Sequence, residues 1–115
     1  MSTEREERPW GSYEVLAEGR SYKVKRIEVK PRQRLSLQTH DHRSEHWVIV
    51  SGQGVVTLGE QEFTCQVNDD VNIPAGTKHR IANPADVSLV FIEVQCGSYF
   101  GEDDIKRFAD DYNRS

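Results

Sequence analysis

The chain has 115 residues, of which 15 are Lys or Arg and 19 are Asp or Glu, so its formal net charge is −4. This length suits one small domain and excludes a multidomain enzyme. The acidic balance argues against a nucleic-acid or membrane-surface binder, because both prefer a basic surface. The sequence has a polar start, no long apolar run and only two cysteines. We therefore expect a soluble cytoplasmic protein without a disulfide framework.

The chain opens with a charged segment and continues as a series of β-type segments. Residues 1–7 show no periodicity, so we expect them to be disordered ahead of a folded domain over residues 8–115. Turn signals separate the predicted strands, which cover residues 21–30, 35–40, 46–50, 55–58, 63–67, 71–73 and 87–95. This pattern predicts an all-β sandwich or barrel of roughly eight to ten short strands.

Near the C-terminus, the spacing of apolar residues changes from that of a strand to that of a helix. Ile105, Phe108, Ala109 and Tyr112 recur at the i, i+3, i+4, i+7 spacing of one helical face. Acidic residues at 102–104 would lie in the first turn of that helix, where the helix dipole favours negative charge. The sequence therefore predicts a short C-terminal helix that packs on the barrel.

Histidine residues are concentrated in two places, at positions 40, 42, 46 and 79. On the predicted strand 35–40, alternation puts Gln38 and His40 on one face. Glu45 and His79 begin two further strands, so three β elements could direct donors at one point. Two imidazoles, a carboxylate and an amide oxygen suit a divalent ion such as Zn²⁺, Mn²⁺, Fe²⁺ or Ni²⁺. Spacing alone leaves open that these are ordinary surface or core histidines.

Two longer motifs favour the metal site, and they resemble those of the cupin superfamily. The first cupin motif reads G-x5-H-x-H-x(3,4)-E-x6-G. His40, Glu45 and Gly52 match it, whereas Arg32 replaces its first glycine and Gln38 its first histidine. The resemblance implies a double-stranded β-helix, which is a jelly-roll barrel, with a metal centre inside it.

The second cupin motif reads G-x5-P-x-G-x2-H-x3-N. Pro74, Gly76, His79 and Asn83 hold its spacings, and Asn68 stands where its first glycine is expected. Each motif alone is weak evidence. Together, at this separation in a β-rich chain, they identify the sequence as a cupin domain.

Three blocks narrow the resemblance to the type II mannose-6-phosphate isomerase domain. They are Arg-Pro-Trp-Gly at 8–11, the segment 35–47 with its His-Arg-Ser-Glu-His-Trp end, and the segment 93–105. The similarity covers about residues 8–114, and a glutamine at the position of Gln38 is usual in that family. The domain commonly forms the C-terminal part of bifunctional mannose-1-phosphate guanylyltransferase/phosphomannose isomerases. No Gly-rich nucleotide-binding segment lies in these 115 residues, so we expect the isomerase domain alone.

The resemblance implies interconversion of mannose 6-phosphate and fructose 6-phosphate through an enediolate, at one divalent ion. That ion would be held by Gln38, His40, Glu45 and His79, with Zn²⁺ preferred and Mn²⁺, Fe²⁺, Co²⁺ or Ni²⁺ as alternatives. We expect a small sugar phosphate as the ligand, and its phosphate needs cationic donors. The candidates are Arg43, Lys78, Arg80 and Arg107. Of these, Arg43 lies inside a family block and is also a candidate catalytic residue.

The general base stays open between Glu93, His42 and His46. Glu93 shares a strand face with Leu89 and Phe91, and a carboxylate inside a barrel would suit a proton shuttle. His42 could reach the rim of the pocket, whereas alternation turns His46 away from Glu45.

The alternative functions are another cupin enzyme, such as a dioxygenase or epimerase, and a non-catalytic sugar or sugar-nucleotide module. We expect a homodimer, since small barrels leave strand edges to cover.

Overall fold

The computed structural model describes residues 4–112, which form two antiparallel β-sheets packed face to face. The larger sheet has six strands, in the spatial order β1 (Glu4–Arg8), β2 (Gly11–Glu18), β3 (Tyr22–Val29), β10 (Leu89–Gly97), β5 (Arg43–Ser51) and β8 (Asp70–Ile73). The smaller has five, in the order β11 (Ile105–Ala109), β4 (Leu37–His40), β9 (His79–Ala82), β6 (Gly54–Leu58) and β7 (Gln61–Cys65). The predicted jelly-roll barrel is confirmed.

Alternation along the central strand β10 divides the barrel interior into an apolar and a polar half. Leu89 and Phe91 point inward and are fully buried, and Phe91 pairs in register with Ile27 and Ile49. Two and four residues further along, the inward positions are polar, because Glu93 and Gln95 follow on the same face. The hydrophobic core therefore occupies one end of the barrel and leaves the other end for a polar site.

Three residues at cupin-motif positions lie outside the polar half of the barrel and stabilise turns and loops. Arg32 and Asn68, which replace motif glycines, both adopt left-handed backbone conformations, with φ of 65° and 79°. Asn83 is buried, and its amide nitrogen lies within hydrogen-bond distance of the carbonyls of Val29, Lys30 and Val87. It thereby connects three segments around the apolar end of the barrel.

The C-terminal helix predicted from the spacing of Ile105, Phe108, Ala109 and Tyr112 is wrong. After a single 3-10 turn at Glu102–Asp104, the chain forms strand β11, which pairs with β4 at the edge of the smaller sheet. Pairing with the open edge of β4 satisfies backbone groups over four register positions, and this outweighs a helical side-chain period. Within residues 4–112 no helix is long and apolar enough to cross a membrane.

The expectation of a disordered start is also wrong for residues 4–7, while residues 1–3 lie outside the described part of the chain. Residues 4–8 form β1, which pairs with β2 over five register positions from Glu4 opposite Val15 to Arg8 opposite Gly11. Backbone pairing to β2 orders a segment that has no apolar periodicity of its own. Its charged side chains suit an edge strand, because they discourage further pairing.

Candidate metal centre and its cavity

Three potential ligands meet where the two sheets approach each other. His40 ends β4 and His79 begins β9 in the smaller sheet, whereas Glu45 lies on β5 in the larger one, and each is 3% exposed. His40 Nδ1 is 3.3 Å from Glu45 Oε2, and His79 Nε2 is 3.7 Å from Glu45 Oε1. One ligand atom from each residue lies within 4.8 Å of the others, which is close enough to surround one cation.

Gln38 adds a fourth donor beside this group. It is the register partner of His79 across β4 and β9, so both side chains leave the sheet at the same level. Its amide nitrogen donates to Ser36 Oγ over 3.0 Å. The amide carbonyl oxygen is then the atom that Gln38 can offer to a cation.

The protonation states of the two imidazoles fit a divalent cation. His79 Nδ1 lies 2.9 Å from the Thr77 carbonyl, which fixes the proton there and leaves the Nε2 lone pair, on the side of Glu45, to bind a cation. Burial lowers the pKa of His79, and burial together with the Arg43 charge lowers the pKa of His40 to about 3. Among residues 4–112, buried His40 Nε2 has no hydrogen-bond partner. Both rings are therefore neutral, which is the form that binds metal.

A second buried carboxylate, Glu93, lies next to Glu45. The Trp47 indole nitrogen is 3.1 Å from Glu45 Oε1 and 3.1 Å from Glu93 Oε1, so one N–H holds the two acids together. Burial and the Glu93 charge raise the pKa of Glu45 well above its usual range. Burial also disfavours charge on Glu93, but its hydrogen bond with Glu45 and the charges of Lys25 and Arg43 outweigh this and lower the pKa of Glu93.

The cavity above these groups is positively charged in a chain that is acidic overall. Two carboxylates, Glu45 and Glu93, line it together with five cationic residues, which are Arg8, Lys25, Arg43, Arg80 and Arg107. The formal excess of 5 − 2 = +3 contrasts with the net charge of −4 for the whole chain. A cavity of this kind attracts an anionic ligand.

Three of the four predicted phosphate-binding residues line the cavity. Arg43 is buried, with Nε 3.5 Å from Glu45 Oε2. Arg80 also lines it and donates from Nε to the Leu35 carbonyl over 2.8 Å, and Arg107 reaches it from β11. Lys78 is not among the lining residues, because its ammonium lies 4.3 Å from the centre of the Phe108 ring.

Of the predicted base candidates, only Glu93 lines the cavity. His42 has a side chain that is 59% exposed, and its Nδ1 is 2.8 Å from Asp104 Oδ1 in the 3-10 turn. His46 points outward, as alternation predicted, with Nε2 2.9 Å from Asp70. The catalytic roles of Arg43, Glu93 and His42 remain predictions, and the structure does not bring His42 to the cavity.

Sequence reasoning missed several lining residues of the N-terminal strands. Lys25 is buried on β3 and lies 4.1 Å from the centre of the Tyr13 ring, and the Arg8 guanidinium lies 5.2 Å from the same ring. The sequence did indicate that Lys25 is buried, since it lies two residues before Ile27 and four before Val29, on the same inward face of β3. A lysine on an apolar row indicates a buried charge, but its counter-charge, Glu93, is distant in sequence.

The two facing sheets and the buried His–Glu–His group define a cupin. A solved cupin-2 domain protein from Rhodospirillum rubrum, Rru_A2000, superposes with a TM-score of 0.69 and 24% identity. The match covers 81% of this chain and 67% of that chain. A likeness at this identity establishes the fold.

The family model described as "Mannose-6-phosphate isomerase C-terminal" matches residues 2–110, and the chain belongs to this family. Over 108 residues it is 52% identical to the xanthan biosynthesis protein XanB of Xanthomonas campestris pv. campestris. It is 47% identical over 108 residues to a mannose-1-phosphate guanylyltransferase of Salmonella montevideo. Each match covers 94% of this chain and 23% of the relative, so the chain spans about a quarter of the length of these relatives.

Proposed function

We propose that this chain is a metal-dependent aldose–ketose isomerase that interconverts mannose 6-phosphate and fructose 6-phosphate. The observation that carries the proposal is one cavity lined by Glu45 and His79 of the His40–Glu45–His79 group, by the carboxylate of Glu93 and by five cationic side chains. The family, whose description names mannose-6-phosphate isomerase, supports a phosphorylated sugar as the substrate.

Gln38, His40, Glu45 and His79 would hold one divalent ion, for which Zn²⁺ suffices because the reaction changes no oxidation state of a metal. When bound, the ion supplies Lewis-acid stabilisation of negative charge on the substrate oxygens. His40, Glu45 and His79 are buried, so the ion would act on the substrate in surroundings with little water. Electrostatic interactions are stronger there than in bulk water.

Glu93 is the residue to which we assign the proton transfer. In the direction from aldose to ketose, its carboxylate takes the proton from C2 and returns it to C1, while the hydroxyl proton of O2 moves to O1. No atom is lost or gained, so one carboxylate suffices for both steps. The Trp47 N–H holds Oε1, and the Gln95 amide, 2.8 Å away, holds Oε2. These contacts keep the carboxylate in one position through the transfer.

The phosphate would lie among the cationic residues of the cavity. Arg43 Nε lies 3.5 Å from Glu45 Oε2, and Arg80 and Arg107 reach the cavity from the smaller sheet. Lys25 and Arg8 add positive charge from the larger sheet. Guanidinium groups suit phosphate because they can donate two parallel hydrogen bonds.

The test is a coupled assay for fructose 6-phosphate formed from mannose 6-phosphate. The purified chain is assayed as isolated, after chelation, and after addition of Zn²⁺, Mn²⁺, Co²⁺ or Fe²⁺. We expect chelation to abolish turnover and one ion to restore it, and the folded His79→Ala variant to stay inactive. His46→Ala is the matched control, because His46 is an exposed histidine on the outer face, and it should retain the rate. A chain that holds stoichiometric metal but never turns over would instead be a sugar-binding module.

A further inference from the structure

Gln95 carries a buried acceptor that no group in the described structure satisfies. The side chain is 1% exposed on β10, and it lines the cavity. Its amide nitrogen donates to Glu93 Oε2 over 2.8 Å. Among residues 4–112, its carbonyl oxygen Oε1 has no hydrogen-bond partner. Buried amide oxygens without a donor are rare and costly, so this one indicates a donor that comes from outside the chain.

The orientation of this amide is fixed by its neighbour. Glu93 Oε1 accepts from the Trp47 indole, and Glu93 Oε2 accepts from Gln95. A reversed amide would bring two acceptor oxygens to 2.8 Å of each other, which the hydrogen-bond network disfavours. Gln95 Oε1 is therefore left as the acceptor on this side chain.

The register places this acceptor beside the reacting groups. Gln95 is the Cα partner of Glu45 across β10 and β5, and Glu93 is the preceding inward residue on its own strand. A ligand that reaches both Glu45 and Glu93 therefore passes Gln95. The donor that fits is a hydroxyl group, because hydroxyls are the hydrogen-bond donors that a sugar offers to an amide oxygen.

We propose that Gln95 Oε1 accepts a hydrogen bond from a substrate hydroxyl next to the reacting carbons, and that it thereby selects sugars that carry this hydroxyl. In a hexose 6-phosphate with C1 and C2 at Glu45 and Glu93, that group is the hydroxyl on C3. This inference rests on the proposed isomerase function. It assigns Gln95 a specificity role in addition to the hydrogen bond that positions Glu93.

The test compares mannose 6-phosphate with its 3-deoxy and 4-deoxy analogues in the wild-type chain and in Gln95→Leu. In the wild type, loss of the 3-hydroxyl should lower kcat/KM about 10- to 100-fold, because the acceptor loses its partner. In Gln95→Leu this difference should shrink to less than about threefold. The ratio for the 4-deoxy analogue should be the same in both proteins. Cys96→Ser, an exposed neighbour on β10, is the control variant.

A uniform loss of rate on all three sugars in Gln95→Leu would show that Gln95 only positions Glu93, and it would overturn the proposal. A 3-deoxy penalty that persists in full in the variant would overturn it as well. Gln95→Met repeats the comparison if the leucine variant does not fold. If the wild type does not turn over, the isomerase proposal fails, and calorimetric binding of the same three sugars decides the Gln95 proposal separately. Equal binding of mannose 6-phosphate and its 3-deoxy analogue by the wild type, or no binding of either, would overturn it.

Discussion

Lys25 and Glu93 are register partners on β3 and β10, so a buried lysine lies opposite the buried carboxylate to which we assign the proton transfer. Lys25→Met would leave that carboxylate without this counter-charge. We expect a loss of about 2 kcal/mol in the free energy of unfolding, since the buried Glu93 charge then keeps Arg43 as its counter-charge but loses that of Lys25. Urea denaturation measures it. Lys30→Met, at an exposed lysine just beyond β3, should change stability by less than about 0.5 kcal/mol. Equal effects of the two variants would contradict the pairing.

A divalent cation should stabilise the folded chain, because the ligand group is assembled only in the folded state. At about 100 times the dissociation constant, the expected gain is about 2.7 kcal/mol. Thermal unfolding with and without Zn²⁺ measures it. The gain should disappear in His79→Ala and persist in His46→Ala, whose histidine faces Asp70 on the outer surface. A gain that survives in His79→Ala would show that the cation binds elsewhere.

Asn83 should be among the most sensitive positions outside the cavity. Its amide nitrogen contacts three backbone carbonyls, and its carbonyl oxygen accepts from Ala85 N over 3.0 Å. Asn83→Ala would leave several buried backbone groups unsatisfied, and we expect it to cost about 3 kcal/mol or more. Chemical denaturation measures the loss. Asn72→Ala, at an exposed asparagine on β8, should cost less than about 0.5 kcal/mol.

The barrel and the grouping of the candidate metal ligands could be predicted from the sequence, because strand alternation and the two motifs depend on local spacing. Gln38 and His40 alternate on one strand, and the segments that carry Glu45 and His79 follow turn signals. Lys25 was missed because its role depends on Glu93, which lies far away in the chain and meets it only through strand pairing. Pairing also overrode the helical period of Ile105 and Phe108, since the edge of β4 offers backbone partners that sequence periodicity does not reveal.

Arg32 should be replaceable by glycine with a gain in stability. Its φ of 65° lies in the left-handed region, which costs a non-glycine residue roughly 1 kcal/mol. Its ion pair with Asp86 is highly exposed, with side chains 63% and 83% accessible, and contributes little. Because glycine also loses more chain entropy on folding, we expect a net gain of about 0.5 kcal/mol for Arg32→Gly. Arg32→Ala keeps the strain and should show no gain when both are compared by thermal unfolding.

The pair between Arg34 and Asp111 should give the chain a small acid-sensitive component of stability. Arg34 Nε and Nη2 donate to the two Asp111 oxygens over 2.8 and 2.9 Å, and this hydrogen bonding lowers the pKa of Asp111. A lowered pKa in the folded state means that the stabilisation is present above the ordinary Asp pKa and is lost as the pH falls towards the folded value.

Asp111→Asn should therefore cost no more than about 1 kcal/mol at neutral pH, because the pair is exposed. The difference between the wild type and Asp111→Asn should shrink as the pH falls below about 4. Urea titrations at several pH values measure it. A difference that does not change between neutral and acidic pH would contradict the charge-based explanation.

The candidate ligands come from both sheets, since His40 and His79 belong to the smaller one and Glu45 to the larger one. A cation bound by all three would add a direct link between the two sheets, beside the turn at residues 41–42 that joins β4 to β5. Backbone amides of β4, β5 and β9 would then exchange hydrogen with solvent in one concerted opening event, because neither layer could separate before the ion leaves. Without the ion, β4, which pairs with β9 at a single register position, should open together with its edge partner β11 before the rest of the smaller sheet.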